Sequence, residues 1–148
     1  MSELNMISAF RLLQAADDFK ARLSGTFAAV HGISVNEYFL LLHLKQAEKN
    51  RLPRVELARR LHVSASTITR MVAPMEKIGL VDRGTGERDA RMALVVLTDT
   101  GAEKLSEAQA TFEDHACYLF EDRWSESEID QLSTLLGRLV SGAPGNLT

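Results

Sequence analysis

"RVELARRLHVSASTITRMVAPMEKIG", residues 54 to 79, sets two short apolar stripes on either side of a three-residue break. In "RVELARRL" Leu57, Ala58 and Leu61 share one helical face, and Pro53 suits the approach to that helix. After "HVS" a second stripe follows, Ile68, Val72, Met75 and Ile78. Its start has Ser64 as N-cap and its end has Gly79 as C-terminal cap, so the spacing predicts a second helix between them. Two short helices joined by about three residues, with the small Ala58 where they approach, form the helix-turn-helix pattern.

The outward side of the second helix's first turns is crowded with Ser66, Thr67, Thr69 and Arg70, next to the cap Ser64. Such side chains reach base edges and phosphates when a helix N-terminus enters a major groove. Any one of them reads equally as a cap or a solvated residue; the set is what points to DNA. Arg54, opening the first helix, is counted with this set. Pro74 removes the hydrogen bond to the Arg70 carbonyl, so a kink is expected after the base-reading turn.

Downstream, "LVDR" reads as a short strand, "GTGERDA" as a turn region containing Gly84 and Gly86, and "RMALVVLT" as a return strand. A hairpin directly after a recognition helix is a wing, and its arginines can enter the minor groove beside the major groove that the helix occupies. Arg83, Arg88 and Arg91 belong to it. Asp89 and Arg91 are two apart, share a face in extended chain, and can pair by a charge-assisted hydrogen bond. The charge distribution agrees. Residues 51 to 91 hold nine Lys/Arg against five Asp/Glu, whereas the rest of the chain holds eight against fifteen, within a net charge of −3. That is a basic middle on an acidic body, the pattern of one polyanion-facing surface, although charges on a solvated face would count the same way.

Upstream, Leu12, Ala16, Phe19, Leu23, Phe27 and Val30 recur at steps of three and four, one stripe along a helix of about 25 residues. "GISVNEYFLLLHLKQA" predicts another helix, capped by Ser34, with Phe39, Leu40 and Leu44 on its apolar face. Beyond residue 100, Leu105, Phe112, Ala116 and Leu119 mark one helix and Ile129, Leu132, Leu135, Leu136 and Leu139 a second, opened by the capping-box pair Ser125 and Glu128. The long helices at the two ends carry more apolar surface than a small core can cover, so a two-fold homodimer is expected to bury it. A self-contained helical subdomain is the other reading.

As a set, "LA..L", "S.ST.TR", "EK.GLV.R" and "D.R.....LT..G" make the chain resemble the MarR family of winged helix-turn-helix transcriptional regulators. The resemblance implies a mainly α fold with a small β-hairpin wing, a winged helix-turn-helix DNA-binding part over 34–98, and dimerisation helices over 1–33 and 99–148. It also implies a homodimer on double-stranded DNA bearing a palindromic operator, usually a repressor released by a small-molecule effector, an oxidant or a metal. Ser66, Thr67 and Arg70 would then read the major groove, Arg91 oriented by Asp89 would enter the minor groove, and Arg83 would support the wing. By the same analogy a ligand pocket near Phe10, Tyr38 and Phe39 is expected, where those aromatics read otherwise as plain core.

Other classes fare less well. At 148 residues, 45% hydrophobic and 25% charged, the chain is the size and composition of one globular domain, without an apolar run long enough for a membrane span. No secretory signal is visible at the start, so cytoplasm is the expected location and no membrane partner is expected. His115 and Cys117, two apart on a helix, point to nearly opposite sides and cannot act as a nucleophile and its base, so no enzyme, catalytic residue or cofactor is expected. The lone Cys117 is expected to be a small buried hydrophobe. His31, His43, His62 and His115 lack a local ligand spacing, and no metal site is assigned, although a metal-sensing regulator of the same fold is an alternative. A winged helix that binds protein instead of DNA is another; the hydroxyl and arginine face argues against it.

Overall fold

In the computed structural model, which describes residues 1–85 and 92–140, the chain runs α1 (Ser2–Thr26), a π-helical turn (Phe27–His31), α2 (Val35–Gln46), a short 3-10 turn (Glu48–Asn50), β1 (Arg51–Pro53), α3 (Arg54–Leu61), α4 (Ala65–Lys77), β2 (Val81–Thr85), β3 (Ala93–Leu97), α5 (Asp99–Leu119) and α6 (Glu126–Val140). Among the described residues no helix is long and apolar enough to cross a membrane.

The core forms around α2, which is apolar on nearly every side: Val35, Tyr38, Leu40, Leu41 and Leu44 are all buried. A helix that is apolar all round must be central, and α2 packs against α1, α3, α5, β1 and β3. Its start is fixed by a capping box. The Glu37 amide donates to Ser34 Oγ at 3.0 Å and the Ser34 amide donates to Glu37 Oε1 at 2.9 Å, an arrangement that contributes about 1 kcal/mol. Only the C-terminal part of the predicted stripe reaches this core: Leu23 near the end of α1 and Phe27 in the π turn are buried, whereas Leu12 is exposed. Val30 is exposed as well. It lies in the π turn, where wider i to i+5 winding shifts the helical register and carries it off the stripe. An aromatic chain ties the ends of the molecule to its middle. Phe27 packs edge-on against Tyr38 at 5.1 Å, Tyr38 stacks on Phe112 at 5.7 Å, and Phe112 meets Phe19 at 5.9 Å.

The predicted hairpin is one part of a three-stranded antiparallel sheet of order β1-β3-β2. The three-residue strand β1, with Leu52 opposite Val95, was not expected from the sequence. Gly84 was assigned to the turn but lies within β2, opposite Leu94, with Thr85 opposite Ala93. Pairing to β3 overrides its weak strand propensity, and a Cβ there would meet the Val96 side chain at 3.0 Å.

Outside the core, α6 buries none of its residues. Leu135, Leu136 and Leu139 are exposed there, as are Leu4, Met6, Ile7, Phe10 and Leu13 on α1 and Tyr118, Leu119 and Trp124 at the end of α5 and beyond. Cys117, expected to be buried, is also exposed, because this end of α5 projects past the core with Tyr118 and Leu119 uncovered.

Candidate nucleic-acid interface

The bend between α3 and α4 follows from three local features. His62 turns left-handed at φ 56°, closing α3, and the Val63 amide donates back to the Ala58 carbonyl at 3.0 Å. Ser64 then caps α4 by accepting from the Thr67 amide at 3.1 Å. Leu57, Ala58, Ile68, Val72 and Met75 bury the facing sides of the two helices. This leaves the N-terminus of α4 presented outward, with its positive dipole end and unsatisfied amides available to an anion.

At that end four of the predicted residues come together. Ser64 Oγ lies 3.0 Å from Ser66 Oγ and 2.8 Å from Thr67 Oγ1, and Arg70 Nη2 donates to Thr67 Oγ1 at 3.3 Å. Ser64, Ser66 and Arg70 are exposed and Thr67 half-buried. A capped, hydroxyl-rich helix end with a cation one turn further along is a pre-ordered set of donors and acceptors, the chemistry that reads base edges.

Thr69 and Arg54 stand differently. Thr69 Oγ1 donates to the Ala65 carbonyl at 3.2 Å and accepts from Arg54 Nη1 at 3.2 Å, so both its roles are engaged within the protein. Arg54 is largely covered and also donates from Nη2 toward Glu76 Oε1 at 3.5 Å. Arg83, three-quarters exposed, donates from Nε to Glu76 Oε2 at 2.9 Å. Glu76, absent from the sequence-based set, thereby stands between two of its members. The predicted wing residues Arg88, Asp89 and Arg91 lie outside the described residues.

The end of α4 is built as firmly as its start. The Gly79 amide donates to the Glu76 carbonyl at 3.0 Å and the Leu80 amide to the Met75 carbonyl at 2.9 Å, the paired bonds of a Schellman turn, with Gly79 at φ 79°. Ile78, expected on the core stripe, is 62% exposed because it already belongs to this turn. Pro74 sits on the exposed side and α4 runs unbroken from Ala65 to Lys77. Thr98, the N-cap of α5, bonds through Oγ1 to the carbonyls of Gly79 and Leu80 and accepts from the Gly101 amide. One hydroxyl therefore joins the end of α4 to the start of α5.

Of the aromatics proposed for a pocket, Tyr38 and Phe39 lie together, with ring centroids 5.7 Å apart, and Phe10 stands apart. Tyr38 is buried in the core with Phe39 half-buried beside it, and burial, then the Glu113 charge, pushes the Tyr38 hydroxyl above its ordinary value. Phe10 is exposed on α1, nine residues before Phe19 and so about 13 Å along the helix from the aromatic chain. The histidines are dispersed: His31 Nε2 is 2.6 Å from Thr111 Oγ1 and His115 Nε2 is 3.0 Å from Thr26 Oγ1, while His43 is buried in the core. Among the described residues no three His, Cys, Asp or Glu side chains gather as a metal site.

Comparison with known proteins places the same segment. Residues 33–92 match the model of the MarR family. The chain is 28% identical over 113 residues to the HTH-type transcriptional repressor YetL of Bacillus subtilis, covering 76% of this chain and 67% of that protein. It is 30% identical over 83 residues to the uncharacterized HTH-type transcriptional regulator YdgJ of the same organism, covering 56% of this chain and about half, 49%, of that protein. The fold matches that of Sco3205, a MarR family transcriptional regulator from Streptomyces coelicolor solved in complex with DNA, with a TM-score of 0.80 at 25% identity over 96% of this chain and 88% of that one. It also matches a mutant MarR from E. coli complexed with operator DNA, with a TM-score of 0.76 at 24% identity over 92% and 96% of the two chains.

Proposed function

We propose that this chain, whose residues 33–92 match the MarR family model, is a DNA-binding transcriptional regulator of that family that acts as a homodimer on a palindromic operator, with α4 as its recognition helix. The observation that carries this reading is the exposed cluster of Ser64, Ser66, Thr67 and Arg70 at the N-terminus of α4. It offers hydroxyls and a guanidinium at the end of the helix where the dipole also favours the phosphate backbone. Arg83 is the middle residue of β2, the strand that leads into residues 86–91. Arg88, Asp89 and Arg91 complete the proposed interface as a minor-groove element on the strength of the sequence pattern.

The domain division expected from the sequence belongs to the same proposal. The part over 34–98 reads DNA and the terminal helices pair. Exposed apolar side chains on α1, α5 and α6 support the pairing, since a two-fold contact would remove them from water at about 25 cal/mol per Å² of apolar surface. Repression, release by a small-molecule effector and a cytoplasmic location also belong to it. Selection of bound duplexes from a random pool tests the reading. It should enrich an inverted repeat whose half-site centres lie about one helical turn, roughly 34 Å, apart. A pool that stays random after repeated rounds would refute it.

A further inference from the structure

We propose that Glu76 is a positioning residue that fixes the angle between the recognition helix and the wing, and through that angle sets base preference. The proposal rests on the DNA-binding reading above. Glu76 lies in the last turn of α4 with its side chain 20% exposed. Its two oxygens serve two different elements, Oε2 accepting from Arg83 Nε on β2 at 2.9 Å and Oε1 from Arg54 Nη2 on α3 at 3.5 Å. Arg54 continues the link to Thr69 in the middle of α4. One carboxylate thus cross-links the supporting helix, the recognition helix and the first strand of the hairpin.

The lever is long enough to matter. From Arg83 to its last residue β2 runs about 7 Å, so a rotation of about 5° about the Arg83 link displaces that end by on the order of 0.6 Å. Hydrogen bonds to base edges tolerate only a few tenths of an ångström. The Schellman turn and Thr98 fix the chain at Gly79 and Leu80, and Arg83 lies three residues beyond Leu80, where the ion pair can hold strand against helix. The carboxylate also offsets positive charge beside the proposed DNA surface, which restrains attraction to any duplex regardless of sequence.

The two roles make a prediction that a merely structural ion pair would not. Glu76→Gln keeps the shape and removes the charge. The test measures affinity for the selected operator and for a random duplex over a range of salt, alongside thermal melting and dimer mass. The random duplex should bind at least as tightly as with the parent, with a salt slope steeper by about one unit per chain. The operator-to-random ratio should fall about tenfold, equivalent to the loss of roughly one base contact over the whole two-fold site. Arg83→Gln cuts the same link from its exposed side without altering α4, so it should lower the ratio too. Adding Glu76→Gln to it should then lower the ratio little further. A ratio within twofold of the parent's in both single variants, with folding intact, would overturn the proposal. Equal weakening on both duplexes together with a lower melting temperature would also overturn it, in favour of a stabilising role alone. A parent chain that prefers no sequence would overturn the DNA-binding reading itself, and this proposal with it.

Discussion

Arg70→Ala separates base reading from simple charge attraction. Arg70 is exposed and its guanidinium donates to Thr67 Oγ1 at 3.3 Å, a long bond between exposed groups. Its removal should change folding by less than about 0.5 kcal/mol, especially since alanine is the better helix former. A bidentate contact to a base is worth about 1 to 3 kcal/mol. A two-fold complex makes it twice, so the operator should lose about 2 to 6 kcal/mol, a factor from about 30 to above 10⁴. A random duplex should lose only the phosphate attraction of two cations, seen as a salt slope shallower by about two units. Fluorescence anisotropy on the two labelled duplexes across salt, with melting as the control, measures both quantities. Equal losses on the two duplexes would show that Arg70 touches phosphate only. No loss on either would remove it from the interface.

Ser64→Ala removes the cap of α4 and should cost about 1 kcal/mol of stability, checked by denaturant titration, with a further loss of operator affinity from the disordered Thr67–Arg70 cluster. Gly101→Ala would drive a methyl group into the Leu80 carbonyl and to 2.8 Å from Leu97 Cδ1. A destabilisation of about 1 to 3 kcal/mol is expected, or about 2 to 4 °C of melting temperature for each, measured at matched protein concentration; an unchanged melting curve would show that the joint yields freely. Burial, and then the Arg60 charge, lowers the His43 pKa from its ordinary 6.5 against a smaller opposing pull from Glu56. The folded state therefore resists protonation that the unfolded state accepts, and stability is fully present above about pH 6.5. It should fall below that by up to about 1.4 kcal/mol per pH unit, a slope that His43→Leu should abolish in pH-dependent melting. Arg91→Ala, placed on the wing by sequence alone, should weaken operator binding and reduce preference for A·T-rich flanks while leaving the dimer and its melting unchanged; binding equal to the parent at every salt concentration would remove it from the wing.

Local chemistry made much of this fold legible. The bounds of α3 and the caps Ser34 and Ser64 follow from apolar period and hydroxyl placement, and the structure has them where the sequence put them. The Ser125 and Glu128 box is likewise formed, with bonds of 2.9 and 3.2 Å. What escaped depends on partners distant in the chain. Three residues ending in proline carry no alternation that could announce β1; only pairing with Val95 and its neighbours makes "RLP" a strand. Ile78 fits the core stripe by spacing, but the left-handed turn at Gly79 ends the helix one residue too early to bury it. Cys117 is small and apolar, yet its part of α5 lies beyond the core. At the candidate interface, residue type alone identified the Ser64 to Arg70 cluster but could not show that Thr69 is bonded to the Ala65 carbonyl and to Arg54 or that Arg54 and Arg83 share one carboxylate. The signal for Glu76 was present as an acid on an otherwise basic stretch, three residues before the helix-ending glycine; recognising its role required knowing that β2 folds back beside it.

The central claim is that two copies of α4 read one duplex from the same side. Hydroxyl-radical footprinting of the selected operator, at a protein concentration that saturates it and with stoichiometry measured on the same complex, tests this most directly. The account predicts two chains per duplex and two protected patches related by two-fold symmetry, with centres about 10 to 10.5 base pairs apart. A single patch bound by one chain, or uniform protection without symmetry, would contradict it.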